Sequence, residues 1–429
     1  MALSPPEPPA AGRDTVLMVV RLFHPWIGGM ERQAHKLARG MVATGVPVEL
    51  LTGRWFRGTP AREVLDGVPV VRHQTLWDGG GIRGLRRLAG YLYVVTLVAA
   101  VWRRRRRCRL LHVHGLSYHT AAAVVAGRLV GVPVVVKLAN SGRGSDLARM
   151  RRGDQLAGSR VLLPLALRAD AFVALNPWIR DELVAAGVAP ERIVDVPNGV
   201  DPAPPAPPRA GGPLRIVYAG RLHDNKGLDD LLRAVAWVRE RTLVPAFTVD
   251  LVGDGPEEGR LRDLAASLDV DGVVRFPGPS HDVLAAFAAS DVFVLPSRAE
   301  GLSNALLEAL SVGLPAVVSD LPGNRVVVTD GRDGMVVDAT RPDRLGEALA
   351  RLLDDPGLRQ RLGEAGRRTV EERFSTATVV ARYRALYDVL APASGADFVP
   401  TGGEDTVPTG GADAAPAPPV APVGEGGRP

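Results

Sequence analysis

The chain has one cysteine, Cys108, and no apolar run long enough to cross a membrane. One cysteine excludes an internal disulfide framework and favours a reducing compartment. A membrane-spanning helix needs about 20 apolar residues in succession. Residues 1–13 are rich in Pro and Ala and lack the basic start and apolar core of a secretory signal. We therefore expect a cytoplasmic protein without a signal peptide or a membrane span.

Cofactor motifs are also missing. His112 and His114 share one face of a predicted strand, but no carboxylate or cysteine cluster accompanies them, which disfavours a metal pair. We expect His112 to be packed in the core and His114 to form hydrogen bonds at the strand end. The Asp269-Val270-Asp271 string is typical of a polar turn. The turn at 253–256 lacks the G-x-G-x-x-G dinucleotide pattern. We expect neither a metal nor another cofactor.

The charge is divided unevenly along the 429 residues. Residues 14–200 carry 27 Lys and Arg against 13 Asp and Glu, hence +14, so the rest must carry −9 to reach the total of +5. A basic first half suggests an anionic partner, either a membrane surface, a phosphate-bearing acceptor or nucleic acid.

Strand and helix patterns alternate in both halves of the chain, which predicts an α/β protein with two Rossmann-like domains and parallel sheets. The Pro-rich stretch 202–213 is typical of a linker between domains 14–201 and 214–375. Segments 1–13 and 392–429 have the composition of disordered chain.

Two glutamates, Glu300 and Glu308, flank a predicted strand-to-helix junction. An apolar run ends at Leu295, Pro296 breaks it, and Ser303 is a candidate N-cap of the next helix. Ligands of open α/β sheets bind at the carboxyl ends of the strands, and a helix start suits phosphate. The two carboxylates would accept hydrogen bonds from hydroxyls on either side, which fits a nucleotide sugar.

In each half of the chain, one glycine-containing turn follows the first strand. In the second half, Gly220 allows close backbone approach, and Arg221 and Lys226 are cations suited to a diphosphate. In the first half, Gly28-Gly29 either opens a helix whose N–H groups would face an anion or forms a plain turn.

The segment between Leu85 and Arg109 combines an apolar stretch with nearby arginines, including an unbroken run from Arg103 to Arg107. Such a helix would lie on an anionic membrane surface, or it would simply cover the sheet with a solvated basic end. The pattern leaves both interpretations open.

Over residues 15–390 the chain resembles glycosyltransferase family 4, a family of retaining enzymes with the GT-B fold, in which two Rossmann-like domains face a central cleft. The resemblance depends on six motifs. They are Gly28-Gly29-Met30-Glu31, His112-Val113-His114-Gly115, the run from Val196 to Asp201, Gly220-Arg221 with Lys226-Gly227, the run from Leu251 to Pro256, and above all the run from Glu300 to Glu308.

The resemblance implies roles for these residues. Arg221 and Lys226 would bind the donor diphosphate, Glu300 the donor sugar, and His114 the same sugar from the other domain. Glu308 would bind the ribose, and the backbone of Leu302, Ser303 and Asn304 would donate N–H groups to phosphate. Gly28 and Gly29 would line the cleft.

The family also needs no metal, and its final helix, here 376–390, typically crosses back to the first domain.

We therefore expect transfer from a UDP- or GDP-sugar to a lipid-linked or glycan acceptor in cell-surface polysaccharide or glycolipid synthesis, peripheral to the inner membrane face. A sugar-nucleotide epimerase of the same fold is the alternative. A nucleic-acid binder is a third possibility, but the arginine run has no recognisable binding module behind it.

Overall fold

A computed structural model describes residues 12–25, 28–75, 83–153, 159–206, 211–241, 243–280 and 282–392. Nearly all of the two segments predicted to be disordered, and the middle of the predicted 202–213 linker, lie outside these residues.

The described part of the first half forms one sheet with helices on both faces. Its strands are β1 (Thr15–Val20), β2 (Val48–Gly53), β3 (Arg62–Leu65), β4 (Val68–His73), β5 (Cys108–His114), β6 (Val134–Lys137), β7 (Ala171–Ala174) and β8 (Ile193–Asp195). The strand order is β3-β4-β2-β1-β5-β6-β7-β8, and all neighbours are parallel except β3 and β4. Its helices are α1 (Gly29–Ala43), α2 (Arg83–Trp102), α3 (Tyr118–Val130), α4 (Asp146–Arg152), α5 (Ser159–Ala166) and α6 (Pro177–Ala185).

The second half forms a parallel sheet in the order β11-β10-β9-β12-β13-β14. Its strands are β9 (Leu214–Ala219), β10 (Phe247–Val252), β11 (Val274–Gly278), β12 (Val292–Leu295), β13 (Ala316–Ser319) and β14 (Met335–Val337). Its helices, and the two that follow, are α7 (Leu228–Arg241), α8 (Glu258–Ser267), α9 (Val283–Ala288), α10 (Asn304–Ser311), α11 (Pro322–Arg325), α12 (Pro342–Asp354), α13 (Pro356–Arg373) and α14 (Thr376–Leu390). The predicted fold class, two parallel-sheet α/β domains, is confirmed.

Helix α14 leaves the second half and packs on the first sheet beside α1. The Tyr387 hydroxyl lies 2.7 Å from Nδ1 of His112 in β5. Arg109, also in β5, donates to Asp388 at 2.5 Å. Val380 lies so close to Gly40 of α1 that a Cβ at Gly40 would overlap it. The core on this face of the first sheet therefore contains residues from both ends of the described chain.

Helix α2 has two apolar faces. Tyr93, Leu97 and Val101 are buried against the sheet, whereas Val95 and Trp102 on the other side are 65% and 46% exposed. The helix thus covers the sheet and also presents apolar surface to solvent. Within the described residues, no helix is both long enough and apolar enough to span a bilayer.

Candidate active site

Lys226 and Glu300 meet at the carboxyl edge of the second sheet. The Lys226 Nζ lies 2.6 Å from Oε1 of Glu300, and both side chains are largely buried. The Ser297 hydroxyl donates to the same carboxylate oxygen at 2.8 Å. Two donors therefore hold Glu300 in one orientation. The sequence predicted Lys226 and Glu300 at this edge but not Ser297.

The backbone between these residues explains their approach. Gly227 has φ +63°, and a Cβ there would overlap the carbonyl oxygen of Pro296. Arg298 donates to Asp229 at 2.9 Å and to Asp230 at 2.5 Å, which joins the loop after β12 to the start of α7. The ion pairing also lowers the pKa of Asp229, although burial acts in the opposite direction. The pair is thus held by a tight turn and by a second set of charges.

Gly220 and Arg221 lie at the same edge. Gly220 has φ +157°. The buried Tyr218 hydroxyl donates to the Arg221 carbonyl at 2.9 Å. Burial, and secondarily the charge of Glu300, raises the pKa of Tyr218, so this phenol stays protonated. The Arg221 side chain is exposed and forms no ion pair with another described residue.

Helix α10 begins where the sequence predicted. The Ser303 hydroxyl caps it by accepting from the Leu306 N–H at 3.3 Å. The first-turn N–H groups of such a helix, at Asn304 and Ala305, have no acceptor within the helix. The prediction that Ser303 is the N-cap is confirmed, whereas the assignment of the Leu302 to Asn304 backbone to phosphate stays a prediction.

Glu308 lies one turn further along α10 and faces helix α1. It borders a cavity of about 460 Å³ that is also lined by Arg32, Lys36 and Asp201. Burial raises the pKa of Glu308, and the positive charges of Lys36 and Arg32 partly oppose this effect. The carboxylate is therefore only partly solvated and accessible from the space between the domains.

Three side-chain amides join the two domains near α10. Gln33 donates to the Gly199 carbonyl at 2.9 Å and to Oδ1 of Asn304 at 3.0 Å. Asn198 donates to the same Asn304 oxygen at 2.9 Å. Asn304 in turn donates to the Gly29 carbonyl at 3.2 Å. The side chain of Asn304, a predicted donor-binding residue, thus has a connecting role, and sequence reasoning missed Gln33.

A second interdomain contact involves the loop that carries Glu300. Ser141 donates to the Glu300 carbonyl at 2.8 Å, and Asn176 donates to the Gly301 carbonyl at 2.5 Å. A Cβ at Gly301 would overlap the Ala139 carbonyl oxygen. Because these first-domain residues follow β6 and β7, the carboxyl edges of both sheets face each other, and we call the space between them the cleft.

The Gly28-Gly29 turn lies in the cleft at the start of α1. The Gly28 N–H donates to the Glu31 carboxylate at 3.0 Å, so this side chain occupies part of the anion position that the sequence predicted for a ligand. Gly29 adjoins Asn304, since a Cβ there would lie 3.2 Å from its side-chain nitrogen. The turn therefore borders the cleft as expected, but the Gly28 N–H is not free.

His112 and His114 are buried on the face of the first sheet that α14 covers. Their ring centroids are 4.2 Å apart. Burial lowers the pKa of His112 to about 3 and lowers the pKa of His114 well below its usual value, so both rings are neutral. The packed position of His112 is confirmed, whereas a contact of His114 with substrate stays a prediction. Among the described residues, no group of three or more His, Cys, Asp or Glu side chains is placed to hold a metal ion.

Comparisons with known proteins agree with this architecture. Residues 202–369 match the family model of glycosyl transferases group 1, and residues 28–199 match that of the glycosyl transferase 4-like domain. The chain belongs to the group 1 glycosyltransferases.

Its relatives include D-inositol 3-phosphate glycosyltransferase of Streptomyces bingchenggensis, which is 32% identical over 406 residues that cover 85% of each chain. The lipopolysaccharide core biosynthesis glycosyltransferase LpsD of Rhizobium meliloti is 35% identical over 205 residues, which cover 46% of this chain and 58% of LpsD.

Solved structures of the same fold include sucrose-phosphate synthase from Thermosynechococcus elongatus. Its TM-score is 0.71 at 20% identity, and the alignment covers 88% of this chain and 99% of that one. Anabaena HepE in complex with UDP and glucose has a TM-score of 0.68 at 19% identity, with 88% and 100% coverage. Both support the GT-B fold.

Proposed function

We propose that this glycosyltransferase moves a sugar from a UDP- or GDP-sugar to a lipid-linked or glycan acceptor, with retention of the anomeric configuration. The observation that carries the proposal is the buried Lys226–Glu300 pair at the edge of the second sheet, opposite the first domain. A cation at a leaving phosphate and a carboxylate at sugar hydroxyls are the groups that such a transfer requires.

The chemistry follows from these positions. The bond between the anomeric carbon and the donor phosphate breaks, so negative charge grows on phosphate and positive charge on the sugar ring. Lys226 and Arg221 stabilise the leaving diphosphate because preorganised cations interact most strongly with the charge that develops there. The acceptor hydroxyl attacks from the same face and gives its proton to the leaving phosphate. Glu300 holds the sugar hydroxyls, and Glu308 holds the ribose.

The similar proteins support the substrate classes. HepE has been solved with UDP and with UDP-glucose. LpsD is named for the lipopolysaccharide core. These names favour a uridine nucleotide as donor and a glycan or glycolipid as acceptor. We further propose that the enzyme is cytoplasmic and needs no metal.

Ligand-induced thermal stabilisation tests the donor site. We expect one of UDP, GDP or ADP to raise the melting temperature, and we expect Lys226→Ala and Glu308→Ala to abolish that shift. Arg344→Ala, at an exposed residue of α12, serves as a control and should keep it. A shift that persists in both cleft variants would place the nucleotide elsewhere, and no shift with any nucleotide would contradict the proposal.

The configuration of the product tests retention. NMR of the first-formed glycoside should show the anomeric configuration of the donor, and a product of the opposite configuration would exclude same-face attack. Nucleotide release should also require an acceptor. Rapid release of nucleotide diphosphate from the donor alone, accompanied by a free epimerised sugar, would indicate an epimerase instead.

The outward face of α2 supports attachment to an anionic membrane. Leu88, Tyr91, Val95 and Trp102 form an exposed apolar stripe, and the exposed Arg103 and Arg106 follow it. Arg104 and Arg107 contribute less to such binding because both pair with Glu49.

Vesicle sedimentation tests this attachment. An arginine near an anionic lipid surface contributes roughly 1 kcal/mol, so the Arg103→Gln/Arg106→Gln variant should bind phosphatidylglycerol vesicles clearly more weakly at low salt. Arg344→Gln/Arg351→Gln on α12 removes the same charge and should have no effect. Equal binding by both double variants would exclude this surface.

A further inference from the structure

Lysine is rare in this chain, and every lysine lies near the cleft. The sequence has 52 Lys and Arg residues, of which three are lysine: Lys36, Lys137 and Lys226. Lys36 lines the cavity beside Glu308, and Lys226 pairs with Glu300. Lysine is a compact charge that a buried site can accommodate and deprotonate, whereas arginine is larger and always charged. The proposed mechanism uses Lys226 but gives no role to Lys137.

Lys137 is a buried cation without a counter-ion among the described residues. It ends β6, is only 4% exposed, and pairs in register with His114 of β5. Its Nζ lies 5.7 Å from the centre of the Tyr383 ring. Burial lowers the pKa of Lys137 to about 7, with no carboxylate opposing that effect. An unpaired buried ammonium is strongly unfavourable, and such groups are usually paired.

Neighbouring polar atoms on the same face of the sheet also lack partners. Both ring nitrogens of His114, Nε2 of His112 and the Tyr383 hydroxyl are buried, without a hydrogen bond to any described residue. The His112 and Tyr383 rings lie 5.1 Å apart. Buried polar atoms are normally satisfied, so a group of them with an unpaired amine indicates a shared ligand. The ammonium, the neutral imidazole N–H groups and the phenol would all donate to it.

Lys137 lies close to the proposed donor site. Two residues after it, the Ala139 carbonyl packs against Gly301, the neighbour of Glu300. On the opposite side, Met30 in the first turn of α1 contacts the strand end at Gly115. Lys137 therefore ends its strand at the carboxyl edge that borders the cleft on the first-domain side, whereas Arg221 and Lys226, which we assign to the donor diphosphate, belong to the second domain.

We propose that Lys137, together with His114, forms a subsite for an anionic group of a substrate, either a carboxylate or a phosphate. The proposal rests on the proposed function and narrows its substrates. A carboxylate would come from a uronic acid in the donor, and a phosphate would come from the acceptor. In both cases the group accepts hydrogen bonds only, which matches the donors that surround it.

NMR of the lysine amines tests the subsite, because three lysines give few signals. Protein labelled with ¹⁵N-lysine is titrated with UDP, UDP-glucose, UDP-glucuronic acid and UDP-galacturonic acid. The matching GDP series is GDP, GDP-mannose and GDP-mannuronic acid. A third titration adds inorganic phosphate in the presence of UDP or GDP. Single Lys→Met variants assign the signals. An anion close to Lys137 should raise its pKa by about one to three units.

The titrations distinguish a carboxylate of the donor from a phosphate of the acceptor. A response to a uronic acid donor but not to its neutral counterpart supports a donor carboxylate, and a response to phosphate supports a phosphate-bearing acceptor. If the Lys226 signal responds to nucleotide while no ligand moves the Lys137 signal, the subsite is overturned and the proposed function stands. If no nucleotide moves any lysine signal, both proposals are overturned.

Lys137→Met separates a binding role from a structural one. Removal of an unpaired buried charge should raise the melting temperature of the unliganded protein, and the variant should no longer distinguish charged from neutral ligands. Arg128→Met removes an exposed charge from α3 and should change neither property. A lower melting temperature of Lys137→Met with unchanged ligand discrimination would show that Lys137 is structural and would overturn the subsite.

Discussion

The carboxyl edges of the two sheets hold one lysine each, in opposite surroundings. Lys226 is paired with Glu300, and Ser297 donates to the same carboxylate. Lys137 is buried beside His114 with no counter-ion among the described residues. The second edge is organised before any ligand arrives, whereas the groups of the first edge lack partners. Protein side chains therefore supply the partners of Lys226, whereas we expect a substrate group to supply the partner of Lys137.

The largest effect is expected when the Lys226–Glu300 pair at the edge of the second sheet is removed. Loss of one preorganised group that stabilises developing charge costs roughly 10²–10³ in turnover. Lys226→Met and Glu300→Gln should each fall in this range, measured as nucleotide release in the presence of acceptor. Because the two side chains act as a unit, the double variant should be little worse than either single one. A Lys226→Met enzyme with a turnover within twofold of wild type would refute the assignment.

The contact between the Glu300 loop and the first domain can be disrupted by a substitution that changes no charge. Gly301→Ala places a Cβ on the Ala139 carbonyl, so the Glu300 loop must move away from the first domain. A misplacement of about 1 Å costs roughly 100-fold in rate, and we expect a loss of that order. Gly259→Ala in α8 is the matched control, since a Cβ there meets nothing within 4 Å. Similar rates for both variants would contradict a role of this contact in alignment.

The amide connection between the domains should have a smaller effect, on stability. Gln33→Ala leaves the N–H and the carbonyl of Gly199 without their partner and removes one of two donors to Asn304, which should lower the free energy of unfolding by roughly 1–3 kcal/mol. Gln360→Ala removes an exposed amide of α13 that bonds only Glu364 and should change stability by less than about 0.5 kcal/mol. Urea denaturation of both variants measures the difference, and equal midpoints would contradict a stabilising role of Gln33.

The smallest effect is the pH dependence of the free energy of unfolding that Lys137 causes. The pKa of Lys137 is lowered to about 7 in the folded protein, so the unfolded state binds more protons above that pH. The free energy of unfolding should therefore rise with pH between about 7 and 8.5, by about 1.4 kcal/mol per unit. The buried histidines His73, His112, His114 and His119 also have lowered pKa values, so they add to this slope near pH 7, where they bind protons only in the unfolded state. Lys137→Met should therefore lose most of the slope above about pH 7.5, and an identical slope in the variant would show that another group titrates.

The sequence predicted most of the fold because its strands are short apolar runs bounded by turns. Strand β12 ends at Leu295 and helix α14 spans Thr376–Leu390, both as predicted. The edge hairpin of β3 and β4 was not predicted, although Asp66-Gly67 is a strong hairpin signal, because the exposed residues of β3 do not form an apolar run. Three-residue strands such as β14 carry too little periodicity to be recognised.

The site was predictable where several residues follow one strand in sequence. Glu300, Ser303 and Glu308 belong to a single strand–turn–helix unit, so their proximity follows from local structure. Gln33 and Asn176 were missed because each acts through one amide on a residue 125 or more positions away. Lys137 was missed because it ends an apolar strand, and only its packing shows that no acid accompanies it.

The return of α14 to the first sheet has a consequence for synthesis. Tyr383 and Tyr387 cover the same core as Val16 and Met18 of β1. A growing chain makes β1 first and α14 more than 300 residues later, since β1 ends at Val20 and α14 begins at Thr376. During translation one apolar face of the earliest sheet, which α1 covers only in part, must therefore stay partly exposed until the second domain has left the ribosome. The domain that is made first is thus the last to be completed.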